Sequence, residues 1–139
     1  MASSVDLDLY PRDDPGAATA AVAGIGEDSD FHRAFDCYAD AVSPLLPVLP
    51  DGWQDRLVPV HFASGVTAWF LELHDAAVSK YARGEDRDRQ WASAGLAAGL
   101  LDPDLLETRL WAALMEPDER QRAMAAFRAD VAELRPPPD

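Results

Sequence analysis

The spacing of apolar residues changes period at about Asp75, and this change restricts the fold more than any other feature of the chain. Before it, short segments alternate apolar and polar residues, the period-two signature of half-buried strands. After it, apolar residues recur at spacings of three and four, the signature of amphipathic helices. Helices are predicted over 75–83, 86–98, 103–115 and 118–134. Asp102 is placed to cap the third, with Pro103 at its first helical position, and Met124, Phe127, Val131 and Leu134 form one apolar stripe on the fourth. Strands followed by a block of helices specify an α+β fold. The expected form is a small mixed or antiparallel sheet, from segments starting at about Asp6, Leu57 and Thr67, covered by helices and followed by a C-terminal helical bundle. A chain of 139 residues has the size of one domain, expected over 1–134, with the proline-rich 135–139 as a disordered tail.

In the first half, Val5 to Tyr10 alternates and stops at Pro11, which predicts a short strand with Val5, Leu7 and Leu9 turned toward the core. Asp14-Pro15 starts a short alanine-rich helix that runs to Val22. Asp30 is expected to cap a second helix through FHRAFDCYADAV, with Phe31, Phe35, Tyr38 and Val42 on its apolar face and Pro44 beyond its end. Cys37, the one cysteine, falls on that helix and is read as an inert packing residue. Pro44, Pro47 and Pro50 make the following stretch an extended connector. Segments 56–62 and 67–73 predict a β-hairpin or neighbouring strands, and Pro59 marks a free edge. Trp53, Trp69, Trp91 and Trp111 are read as core or interface anchors.

Charge and motif content remove several function classes. Asp plus Glu is 25 against 12 Lys plus Arg, a net charge of -13 that repels phosphate backbones and anionic lipid. Unaided nucleic-acid binding and membrane binding are therefore not expected. No run of about 18 apolar residues exists and the N-terminus is acidic, which predicts a cytoplasmic protein. His32, His61 and His74 share no zinc-ligand spacing, and there is no GxSxG, Walker lysine loop or GxGxxG.

Two groups of residues have the composition of a site. Asp6 and Asp8 project from one face of the predicted strand, their Cα atoms about 6.5 to 7 Å apart, close enough for both carboxylates to share Mg²⁺. That spacing alone more often describes the solvent face of a strand in an acid-rich chain. The second group is Glu72, His74 and Asp75 at a strand-to-helix junction, with Lys80 one turn into the helix and the run Glu85 to Arg89 beyond. Asp75 is also a candidate helix cap, Lys80 a candidate surface lysine, and the charge run a candidate solvated helix start.

The succession VDLDLYPRDDP, FHRAFDCYADAV, LPDGWQDRLVPV, AWFLELHDAAVSKYARGEDRD and GLLDPDLLETRL resembles an uncharacterised bacterial family of the nucleotidyltransferase superfamily, which includes minimal nucleotidyltransferases and abortive-infection toxins of toxin-antitoxin systems. The resemblance runs from about Ser4 to about Leu114 and is most specific over 71–88. It implies Mg²⁺ on Asp6 and Asp8, with Glu72 as third carboxylate of a catalytic set. It also implies nucleotide contacts from Lys80, Asp88 and His74, and a nucleoside triphosphate as substrate. Active members of the superfamily carry a Gly-Ser motif ten or more residues before the acidic pair, whereas MASSV precedes Asp6 here, so a shortened N-terminus is expected. Glu85 stands where relatives often have a basic residue and would repel a triphosphate. Three readings follow: a nucleotidyltransferase, a catalytically degenerate module acting through a homodimer or a protein partner, and an acidic structural domain without a site.

Overall fold

A computed structural model describes residues 6–134. The fold is α+β, as expected, and the chain divides after Pro47 into two compact units, each with a two-stranded sheet. The segments at Asp6, Leu57 and Thr67 therefore do not share one sheet, because the first of them finds a partner within its own unit. Among the described residues no helix is long and apolar enough to cross a membrane. Val5 and the tail at 135–139 lie outside the described residues.

The first unit runs β1 (Asp6–Leu9), a single 3-10 turn (Pro15–Ala17), α1 (Ala18–Val22), α2 (Asp30–Phe35) and β2 (Tyr38–Ala41). β1 and β2 pair in parallel, with Asp6 opposite Tyr38 and Asp8 opposite Asp40. Parallel neighbours need a crossover rather than a tight turn, and residues 10–37, with both short helices, supply it. Among the described residues, Ala18, Val22 and Ala39 are the buried apolar residues of this unit, while Leu7, expected to face inward, is 53% exposed.

The helix expected through Val42 stops at Phe35. Asp36 adopts a left-handed conformation with φ of 54°, which Asp tolerates better than most residues, and its N–H closes the helix on the carbonyl of His32. Beyond this stop the chain gains more by pairing with β1 than by continuing a helix. The cap is Ser29, whose hydroxyl accepts from the His32 N–H at 3.1 Å, and not Asp30. Cys37 consequently lies exposed just before β2 rather than packed on a helix face.

The second unit opens with a 3-10 turn (Trp53–Arg56) and the antiparallel hairpin of β3 (Val58–His61) and β4 (Thr67–Phe70), as predicted. The helices then follow as α3 (Leu73–Arg83), α4 (Asp86–Ala97), α5 (Pro103–Ala112) and α6 (Pro117–Leu134), near the expected boundaries. Asp102 caps α5 by accepting from the Leu105 N–H at 2.9 Å. One apolar core joins the four helices through Val78, Tyr81, Leu96, Leu106, Met124 and Phe127. Gly95 permits the turn after α4 to fold back onto it, since a Cβ there would stand 2.9 Å from Leu101 Cδ1. Trp91 packs at the margin of this core, whereas Trp69 and Trp111 are exposed and anchor nothing within it.

Candidate functional site

Alternation along β1 puts the carboxylates of Asp6 and Asp8 on one face, and the parallel register sets Asp40 of β2 beside Asp8 on that same face. One oxygen from each of the three lies within 4.8 Å of the others. Asp6 is half-buried and Asp8 exposed, so the group opens to solvent on one side. Three carboxylates this close repel one another, and a divalent cation offsets the repulsion. Hard oxygen donors at about 2.0–2.1 Å are what Mg²⁺ takes, usually one or two carboxylates with water and phosphate completing the shell. The donor set fits that ion in chemical type.

The third carboxylate of this cluster is Asp40, a residue that the sequence reading placed on a helix. Glu72, expected as the third ligand, belongs to the second unit. There it caps α3, accepting from the N–H of His74 at 3.1 Å and of Asp75 at 3.4 Å, and its Oε1 lies 2.8 Å from His74 Nδ1. The backbone N–H of Asp102 donates to His74 Nε2 at 2.9 Å, which leaves the ring proton on Nδ1 and directs it to Glu72. His74 thus ties the start of α3 to the start of α5 with both ring nitrogens engaged. Burial works against the charge on Glu72, but the hydrogen bonds from the His74 ring, His74 N–H and Asp75 N–H outweigh it and hold the carboxyl below its ordinary value.

Lys80 and Asp88 lie together, with Nζ 3.4 Å from Oδ1. Asp88 is buried rather than solvated, and Arg83 grips it with two donors at 2.7 and 2.5 Å while the Glu85 N–H donates to it at 3.3 Å. It closes a capping box that starts α4 directly after the left-handed Gly84 ends α3. Burial raises the Asp88 carboxyl, but Arg83 and Lys80 more than reverse this and hold it low.

Two further ion-pair centres had no sequence signal. Asp75, fully buried, accepts from Arg56 Nε at 2.8 Å and Nη2 at 3.1 Å, with Arg109 3.6 Å away. It is therefore an anchor for two arginines, and the cap is Glu72. Asp130, also buried, accepts from the Tyr81 hydroxyl at 2.8 Å and from Arg89. Burial and the hydrogen bond to Asp130 both push the Tyr81 hydroxyl up, so it stays a donor. The partners lie far apart in sequence, and no local spacing announces them.

The acid response of the second unit follows from Glu72 and Asp88. Their ordinary values are 4.5 and 3.8, and both are lower in the folded chain, so the unfolded chain takes up protons first as pH falls. The stability they contribute is present above those ordinary values and is lost as pH falls through the lowered ones. Melting temperature is expected to fall as pH drops below 4.5. Asp88→Asn, less stable at neutral pH, should show a shallower acid slope in the same thermal melts.

A family model described as "Nucleotidyltransferase of unknown function (DUF6036)" matches residues 1–135. The chain belongs to this family. No curated protein and no solved structure matches it. Within this DUF6036 chain, the aspartate cluster on neighbouring strands is the group of side chains with a direct chemical reading, since hard oxygen donors gathered in one place suit a divalent cation.

Proposed function

We propose that this DUF6036 protein is a Mg²⁺-dependent nucleotidyltransferase that moves a nucleoside monophosphate from a nucleoside triphosphate to an acceptor, with pyrophosphate leaving. The observation that carries the reading is the convergence of Asp6, Asp8 and Asp40 on one face of two adjacent strands. In this reading those carboxylates hold the cation, and their placement on paired strands keeps the donor set in register. Bound Mg²⁺ supplies a Lewis acid for the α-phosphate and lowers the pKa of an acceptor hydroxyl. The resemblance also implies a phosphate contact for Lys80, which is about one-third exposed and steadied by Asp88. Glu72 and His74 are assigned to positioning, since they fix where α3 begins.

The acceptor is a protein side chain, a tRNA end or a small molecule, and a net charge of -13 argues against RNA held by this surface alone. A toxin-antitoxin or defence setting belongs to the same reading. A second reading, a degenerate module that acts by protein binding, is favoured by the hairpin, where Val58, Val60, Phe62, Val66, Trp69 and Phe70 are all exposed.

Calorimetric titration of ATP, GTP, CTP and UTP, with and without Mg²⁺, separates the two. The nucleotidyltransferase reading expects metal-dependent binding of at least one nucleotide, lost in the Asp6→Asn/Asp8→Asn double variant. No heat with any nucleotide would overturn it and leave the module.

A further inference from the structure

The second unit carries a pocket of about 250 Å³ lined by Tyr81, Arg83, Gly84, Arg89 and Arg122, with Ala82 and Ala126 completing the wall. We propose that this pocket is a binding site for a phosphate-bearing anion, held by the guanidinium groups of Arg83, Arg89 and Arg122.

The charge of the pocket wall favours an anion. The whole chain has 12 Lys plus Arg against 25 Asp plus Glu, yet three arginines and no acidic residue line this one pocket. Asp88 and Asp130 already balance Arg83 and Arg89 from behind, so Arg122 is the charge left for an anion in the pocket, and planar guanidinium donors match the oxygens of a phosphate in pairs. The arginines are also held in place. Arg83 is fixed from behind by buried Asp88 and Arg89 by buried Asp130, so both side chains are oriented before any ligand arrives, each remaining about two-fifths exposed, 45% and 41%. Hydrogen-bonding capacity in the wall is also unmet. Arg89 Nε is buried without a partner, and among the described residues Arg122 has no ion-pair partner. A buried, unsatisfied donor on a cation is rare enough to call for an acceptor. The volume is many times the ~15 Å³ that one water needs, so a polyatomic anion fits.

The test uses the whole protein in EDTA, which removes any cation from the aspartate cluster and so keeps the outcome independent of the nucleotidyltransferase reading. Inorganic pyrophosphate and orthophosphate are titrated calorimetrically into wild type and into Arg122→Ala. Arg122 is exposed, so this change should leave the melting temperature unaltered. Saturable binding that weakens about tenfold in Arg122→Ala upholds the site. Absence of saturable binding, or equal affinity in the two proteins, overturns it. ATP in EDTA forms a further arm: binding with the same Arg122 dependence assigns the phosphate to a nucleotide, and binding of the inorganic ions alone assigns it to a free anion.

Discussion

Asp75→Ala is expected to destabilise the second unit by about 3–5 kcal/mol, the loss typical of removing one partner from a buried ion pair. The Asp75 side chain is 1% exposed, and the arginines that it serves, Arg56 and Arg109, are 24% and 19% exposed. Removing the carboxylate leaves two largely desolvated guanidiniums facing one another with no anion between them. The residues come from the turn before β3, from α3 and from α5, so three segments lose a common tie. Arg56 keeps its 3.1 Å bond to the Asp51 carbonyl, which satisfies one donor but supplies no negative charge. Asp75→Asn, which retains one acceptor oxygen, should lose less. Urea unfolding at neutral pH measures both, and a loss under about 1 kcal/mol for Asp75→Ala would show that water replaces the carboxylate.

Asp40→Asn is expected to weaken Mg²⁺-dependent nucleotide binding by about a hundredfold or more. Loss of a group that only hydrogen-bonds to a metal ligand already costs about 10- to 100-fold in metal affinity, and Asp40 offers an oxygen directly. The change is isosteric, and on β2 it leaves the backbone ladder to β1 intact, so fold stability should scarcely move. A comparable loss on Asp8→Asn, with both variants melting near wild type, would locate the effect in the shared cluster.

The sequence revealed its helices far better than its first sheet. α3 to α6 announce themselves through local signals: Asp102 before Pro103, the three-four spacing from Met124 to Leu134, and the glycine between α3 and α4. The hairpin is legible for the same reason, since both of its strands and its turn lie within 58–70. β2 is not, because its existence depends on β1, a partner many residues away across a crossover, and a parallel ladder has no signature in either strand alone. Phe31, Phe35, Tyr38 and Val42 happen to follow helical spacing, and they concealed the alternation of Tyr38-Ala39-Asp40-Ala41. With β2 hidden, Asp40 was hidden too. Asp6 and Asp8 were readable because one strand carries both, whereas a third carboxylate on a neighbouring strand becomes visible once the register is known. Asp75 and Asp130 illustrate the same limit in the helices, where local pattern identifies a buried face but not the distant arginine that makes a buried carboxylate tolerable.

The aspartate cluster is the centre of the functional account, and Mn²⁺ reports on it most directly. Manganese accepts the same oxygen ligands as magnesium and broadens the NMR signals of nuclei near it. Substoichiometric Mn²⁺ added to wild-type protein should broaden the amides of β1 and β2 first, and Asp40→Asn should abolish that broadening at the same metal concentration. Broadening spread over the acidic surface, or unchanged by Asp40→Asn, would contradict a metal site on Asp6, Asp8 and Asp40.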